Sequence, residues 1–118
     1  MCALEQEYIL TDRLFCYGTL QIPEVIKAVT GRTHVGVTAR LFDYAIYRVK
    51  NAGYPGVIYS PDKETTGVLY SGVTEKELKI LDLFEGDLYE RICLDAIGHN
   101  GNNQRAWVYV VPETQKLL

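Results

Sequence analysis

The stretch from Thr74 to Gly86, TEKELKILDLFEG, predicts one long helix in a chain that otherwise favours strands. Thr74 with Glu77 three residues later forms a capping box, the pattern that starts a helix. Apolar residues then recur at helical spacing from Leu78 to Phe84, which places them on one face. Because Gly86 is suited to a helix C-cap, we predict a helix over Glu75–Phe84.

Glu85 follows this helix, where a carboxylate faces the negative end of the helix dipole. It is either a solvated surface group beside Asp82 and Asp87 or a functional base. If Glu85 projects into a pocket lined by aromatic rings, desolvation and the helix end would both raise its pKa. A general base that works near neutral pH needs such a raised pKa.

The remainder of the chain predicts six or seven strands and one short helix. Period-two alternation, with many β-branched and aromatic residues, indicates the strands. Pro23 precedes the short helix Glu24–Val29, which closes near Gly31. We therefore predict an α+β fold, a small β-barrel with one long and one short helix. The predicted strands lie in Arg13–Tyr17, Val35–Tyr47 (two strands), Val57–Tyr59, Gly67–Val73, Tyr89–Ile97 and Gln104–Val111.

Length and composition indicate a single domain over residues 1–118, acting on a small molecule. The net charge is −3 and the basic residues are scattered, which argues against nucleic-acid binding. No apolar run approaches the ~18 residues of a membrane span, and residues 1–12 lack a secretory pattern, so we expect a cytoplasmic protein without a membrane partner. Three cysteines without CxxC spacing argue against a disulfide framework and against a zinc site. In the absence of a heptad pattern, a monomer is the expectation.

The turn Tyr17-Gly18-Thr19-Leu20 follows the first predicted strand and is a candidate binding loop. A glycine after a strand lets the backbone approach a ligand, so that consecutive amides can bind a carboxylate or an oxyanion. Plain turn chemistry is the alternative.

Several short motifs, in this order, resemble the gamma-glutamylcyclotransferase-like (AIG2-like) family. The resemblance spans roughly Arg13 to Val111 and leaves residues 1–12 outside. It implies a small mixed β-barrel with flanking helices, a substrate-binding loop at Tyr17, Gly18, Thr19 and Leu20, and Glu85 as the catalytic acid/base. Tyr109 is similar to an aromatic residue that lines the pocket in some members. The motifs are Phe15-Cys16-Tyr17-Gly18-Thr19-Leu20, Gly53-Tyr54-Pro55-Gly56, Leu81-Asp82-Leu83-Phe84-Glu85-Gly86, Tyr89-Glu90-Arg91 and Ala106-Trp107-Val108-Tyr109-Val110.

The reaction that the resemblance implies is intramolecular aminolysis of a γ-glutamyl amine or amino acid, which yields 5-oxoproline and a free amine without a cofactor or metal. The enzyme has to fold the substrate into the five-membered-ring conformer, move a proton and stabilise an oxyanion. A non-catalytic ligand-binding or regulatory protein on the same fold is the alternative, because a fold does not determine function. A hydrolase that releases glutamate is a third hypothesis.

Other residues allow weaker hypotheses. Tyr54, between glycine and proline, lies on a loop where its ring could contact substrate. Cys16 could be a nucleophile with His34 or His99 as base, but a cysteine in an alternating strand more often packs as a small buried side chain. Arg91 could attract a substrate carboxylate or pair with Glu90 or Asp87 on the surface.

Overall fold

The computed structural model describes residues 11–49, 55–112 and 116–117. Within these ranges the chain has two α-helices and six strands in one sheet, an α+β arrangement. The elements are β1 (Thr11–Cys16), α1 (Pro23–Thr30), β2 (Gly36–Val49), β3 (Pro55–Thr74), α2 (Glu75–Glu85), β4 (Glu90–Gly98), β5 (Asn103–Val110) and β6 (Lys116–Leu117).

The strand pairings run from β1 to β3, β2, β4 and β5 and return to β1. The β1–β5 contact is parallel, whereas the other four pairings of this circuit are antiparallel. The two-residue β6 pairs with the end of β2. Five strands therefore carry the circuit, and the expected number of six or seven is wrong for it.

Two predicted pairs of strands are in fact single long strands, which explains the lower number. The region predicted as two strands forms one strand, β2, which begins at Gly36, and the polar stretch after Tyr59 continues β3 instead of ending it. Tyr44 pairs with Tyr59 and Phe42 pairs with Glu64, so Asp43 opposes the four residues 60–63. Polar residues persist there because this part of the two-stranded ribbon is exposed, and its register changes at the positive φ of Asp43 (67°).

Both helices form where the sequence predicts them. The Thr74 hydroxyl accepts from the Glu77 amide while the Glu77 carboxylate accepts from the Thr74 amide, which completes the capping box. Gly86 ends α2 at φ 86° and ψ −177°, a conformation that is essentially restricted to glycine. α1 has Pro23 in its first turn and ends at Gly31 with φ 84°.

The helices pack on the strands through a shared apolar cluster. Ile26 of α1 and Leu78 and Leu81 of α2 are buried against Leu14 of β1 and Tyr70 of β3. Each such side chain contributes about 1.5–3 kcal/mol when it is removed from water. A second cluster, centred on Phe15, Leu41, Leu69 and Val108, packs the strands together. None of the described helices is both long and apolar enough to cross a membrane.

Candidate functional site

A cleft of about 720 Å³ opens where the end of β1, the end of α2 and strand β5 meet. Its walls are mainly aromatic and aliphatic, and Glu85 is the one residue with a formal charge in the described lining. The lining consists of Phe15, Cys16, Tyr17, Gly18, Thr19, Leu20, Gln21, Ile22, Phe84, Glu85, Tyr89 and Tyr109.

Glu85 is the last residue of α2 and is partly buried in this cleft. Burial raises the pKa of Glu85 from its ordinary value of 4.5 to about 7. The negative charge of Glu85 contributes to the raised pKa values of Cys16, Tyr17 and Tyr109. The Glu85 carboxylate therefore interacts electrostatically with three other residues that line the cleft. A carboxyl group with a pKa near 7 can both accept and return a proton at neutral pH.

The loop after β1 tightens into a 3₁₀ turn over Thr19–Gln21, which borders the cleft. The Gln21 side-chain amide donates to the carbonyls of Tyr17 at 2.6 Å and Gly18 at 3.2 Å. From below, the hydroxyl of the buried Tyr70 is 2.8 Å from the Leu20 carbonyl and 3.0 Å from the Gln21 carbonyl. These bonds hold the carbonyls of the turn inward, on the protein side.

Three backbone amides of this turn have no hydrogen-bond acceptor in the described part of the chain. Within the described residues, the backbone N–H groups of Gly18, Thr19 and Leu20 donate to no acceptor. Among the described residues, leaving out the chain neighbours of Gly18, no atom lies within 4 Å of the position where a Gly18 Cβ would be, so this side of Gly18 is open. Consecutive free amides at the start of a tight turn form a concave site for an anion.

Tyr17 and Tyr109 connect the loop to the sheet. The Tyr17 hydroxyl donates to the Tyr109 carbonyl at 2.5 Å and accepts from the Val57 amide at 3.1 Å. Burial is the main cause of the raised pKa of Tyr17, which stays protonated at neutral pH. The Tyr17 hydroxyl therefore fixes the loop relative to β3 and β5, and Tyr17 also lines the cleft.

Asp82 joins α2 to the last two long strands. The Tyr109 hydroxyl donates to Asp82 Oδ1 at 2.7 Å, and Arg91 makes two bonds to the same carboxylate at 2.7 and 3.0 Å. Burial opposes ionisation of Asp82, but the bonds from Arg91 and Tyr109 outweigh it and lower its pKa. Arg91 thus pairs with Asp82, and the predicted pairing with Glu90 or Asp87 is wrong.

The cysteine and histidine candidates for a thiol mechanism lie in different environments. Cys16 is free and buried in the cleft wall, and burial raises its pKa well above the ordinary value, which disfavours a thiolate nucleophile. His34 is buried outside the cleft lining, and His99 lies in an exposed turn. Cys93 is disulfide-bonded, which the odd cysteine count did not predict. Within residues 11–49, 55–112 and 116–117, no group of acidic, histidine or cysteine side chains is arranged to hold a metal ion.

The chain matches one protein-family model over most of its length. The family model described as gamma-glutamyl cyclotransferase, AIG2-like, matches residues 14–118. The chain belongs to this family. The cleft described above, with Glu85 at one wall and the Tyr17–Leu20 turn at the other, is thus the candidate site of an AIG2-like, gamma-glutamyl cyclotransferase-like domain.

Individual relatives agree with this assignment. AIG2-like protein A of Arabidopsis thaliana is 34% identical over 106 residues, which cover 90% of this chain and 63% of that protein. A solution structure of an Arabidopsis thaliana protein has a TM-score of 0.79 at 28% identity, with 94% of this chain and 66% of that one covered. A structure named gamma-glutamyl cyclotransferase has a TM-score of 0.74 at 20% identity, covering 86% and 66%, and shows the shared fold. The chain spans 49–63% of the length of the curated relatives that it matches.

The structure brings five of the six predicted binding residues of this AIG2-like domain to the same cleft as Glu85. They are Tyr17, Gly18, Thr19, Leu20 and Tyr109, whereas Tyr54 lies outside the described residues. Leu20 is the buried residue of the turn, so its side chain anchors the loop in the core.

Sequence reasoning missed the residues that support the site. Gln21 follows the predicted loop directly, and an amide side chain after a glycine turn was an available signal. Tyr70 lies within the predicted strand Gly67–Val73 and was not identified as a site residue, yet its hydroxyl holds the loop from 50 residues away. No local pattern could have identified that contact, because it depends on how β3 passes under the loop.

Proposed function

We propose that this chain converts a γ-glutamyl amine or γ-glutamyl amino acid to 5-oxoproline and a free amine, with Glu85 as general acid/base. The observation that carries the proposal is the Glu85 carboxyl group, whose pKa burial raises to about 7 in a cleft that also contains free loop amides. Family membership supports the same reaction class, because the family includes gamma-glutamyl cyclotransferases.

The reaction is an internal acyl transfer. Glu85 takes a proton from the α-ammonium group of the substrate, and the freed nitrogen attacks the γ-carbonyl carbon to close a five-membered ring. Glu85 then gives this proton to the leaving nitrogen as its C–N bond breaks. The ionised Glu85 takes the excess proton from the ring nitrogen, and this proton passes to the released amine, which leaves 5-oxoproline and an ammonium product. Atoms balance without water or cofactor, and the intramolecular attack needs mainly the correct conformer, which a rigid cleft can impose.

The loop of Gly18, Thr19 and Leu20 supplies hydrogen-bond donors, whereas Glu85 supplies the base. Its amides bind an anionic group of the substrate, which is either the α-carboxylate or the oxyanion of the tetrahedral intermediate. In a cleft with apolar walls such hydrogen bonds are stronger than in water. The loop geometry is held before substrate arrives, because Gln21 and Tyr70 already bind its carbonyls.

The test measures 5-oxoproline by mass spectrometry after incubation with γ-glutamyl amines, amino acids and peptides. Glu85→Gln keeps the shape of the side chain and removes its basicity, so turnover should fall at least ~100-fold. Glu75→Gln is the matched control, because Glu75 lies in the exposed first turn of the same helix.

The outcomes distinguish the three hypotheses. Release of 5-oxoproline that depends on Glu85 supports the proposal. Free glutamate as the product would indicate a hydrolase, and saturable binding without any product would indicate a ligand-binding protein. Full turnover by the Glu85→Gln protein would refute the role of Glu85.

A further inference from the structure

The mouth of the cleft carries exposed apolar side chains that the proposed chemistry does not use. Ile22 and Phe84 both line the cleft, yet their exposed fractions are 49% and 50%. Ile22 follows the 3₁₀ turn, and Phe84 directly precedes Glu85, so the two side chains belong to the two walls that hold the proposed chemistry. Half-exposed large apolar groups beside a cavity indicate a binding surface more often than isolated ones elsewhere do.

The position of Glu85 determines which part of the substrate meets this mouth. In the proposed reaction Glu85 returns a proton to the leaving nitrogen, so that nitrogen must lie within hydrogen-bond reach of Glu85. The γ-glutamyl head occupies the inner cleft near the loop amides. The substituent on the leaving nitrogen therefore extends from Glu85 toward Phe84 and the cleft mouth.

The charges of the described lining disfavour an ionised substituent. Glu85 is the one charged group there, so a carboxylate tail would meet repulsion and no counter-charge. A cationic tail beside Glu85 would stabilise its ionised form and lower its pKa away from 7, which weakens it as a base. An apolar tail keeps Glu85 desolvated and covers Ile22 and Phe84.

We infer that the leaving group is an uncharged amine with an alkyl or aromatic substituent, for which Ile22 and Phe84 form the subsite. This inference rests on the proposed function, because it uses the position of the leaving nitrogen. It names a substrate class within the γ-glutamyl amides and excludes tails with a charge near the scissile bond.

The experiment compares kcat/KM for γ-glutamyl amides of ethylamine, phenethylamine and 1,4-diaminobutane and for γ-glutamylalanine. We expect the phenethyl amide to exceed the others by about tenfold or more, the scale that an apolar pocket contributes. Phe84→Ala and Ile22→Ala should each reduce the phenethyl-to-ethyl ratio several-fold. Leu83→Ala is the matched control, because Leu83 neighbours Phe84, is 85% exposed and is absent from the described cleft lining.

Failure of the inference differs from failure of the proposed function. If 5-oxoproline forms equally from all amides, or fastest from a charged one, the apolar subsite is wrong and the cyclisation stands. If no amide is cyclised, calorimetric binding of the phenethyl and ethyl amides to the native protein still tests the subsite. Equal affinities, or a ratio that Phe84→Ala leaves unchanged, would then overturn it.

Discussion

Glu85 is a residue whose surroundings work against its own ionisation. It lies at the negative end of α2 and in an apolar cleft, and the second feature raises its pKa to about 7. A purely structural carboxylate would gain nothing from this position. The same burial that makes Glu85 a suitable base at neutral pH therefore reduces the stability of the folded chain when Glu85 is ionised.

The raised pKa predicts opposite effects of pH on activity and on stability. kcat/KM should rise as pH increases through about 7, because the base must be deprotonated. The folded state prefers the protonated Glu85 carboxyl group. The contribution of this group to stability is therefore present below pH 4.5 and is lost as pH rises through 7. The free energy of unfolding of Glu85→Gln, taken relative to that of the native protein, should therefore increase by about 1–2 kcal/mol from pH 5 to pH 8. This value allows for the partial exposure of Glu85. Urea unfolding of both proteins at the two pH values measures this difference, and a constant difference would contradict the raised pKa.

Among the single residues, the sequence predicted those that stand out in a local motif and missed those whose role depends on contacts with distant parts of the chain. Glu85 and the Tyr17–Leu20 loop stand out because an ill-placed charge and a glycine turn are visible in local order. The hydroxyl of Tyr70 and the carboxylate of Asp82 are visible only in three dimensions, since their partners lie on other elements.

Among the elements, α2 has the greatest influence on the site because its last turn carries Glu85. Asp82, one turn earlier, ties that turn to β4 through Arg91 and to β5 through Tyr109. Arg91 also lies over the Trp107 ring at 4.4 Å, so the charged group is packed as well as paired. The position of Glu85 thus depends on contacts that join three elements.

Loss of the Asp82 charge should loosen this junction. We expect Asp82→Asn to lower the free energy of unfolding by about 1–2 kcal/mol, since it weakens the three bonds that the partly exposed carboxylate accepts from Arg91 and Tyr109. Turnover should fall on the order of tenfold, because small displacements of a catalytic group are costly. Asp95→Asn is the control, because Asp95 pairs with Arg105 on neighbouring strands but both side chains are about half exposed (54% and 51%). Chemical denaturation and steady-state kinetics measure both effects, and equal behaviour of the two variants would count against the junction.

The strands show why element boundaries were harder to predict than element types. Polar residues between Tyr59 and Gly67 resemble a loop, but they belong to a two-stranded ribbon in which residues 61–64 are all exposed. Hydrophobic alternation marks a strand only where one face is buried. The helices were easier, because capping boxes and C-terminal glycines are local signals that survive any tertiary context.

For the molecule as a whole, a second charged cluster joins the two helices away from the cleft. The Glu77 carboxylate accepts from Arg32 at 2.7 and 2.8 Å and lies 2.9 Å from Nε2 of the buried His34. Arg32 also donates to the Gly72 carbonyl at 2.6 Å, just before α2. This cluster connects the segment after α1 with the start of α2, so it holds the helix pair against the sheet.

Acid should release this cluster and with it the packing of both helices. Burial raises the pKa of Glu77, but its bonds from Arg32, His34 and the Thr74 amide outweigh this effect and lower the pKa from 4.5 to about 2. The contribution of Glu77 is therefore present above pH 4.5 and is lost as pH falls toward 2, by about 1–3 kcal/mol, because Arg32 is half exposed and solvent weakens its pair with Glu77. Glu77→Gln should lower stability at pH 7 by a similar amount and flatten the acid dependence, whereas Glu75→Gln, at an exposed site of the same first turn, should leave both unchanged. Free energies of unfolding measured from pH 7 to pH 2 test whether Glu77 controls the acid dependence of stability. If Glu77→Gln and the native protein lose stability in parallel over this range, other carboxylates control it.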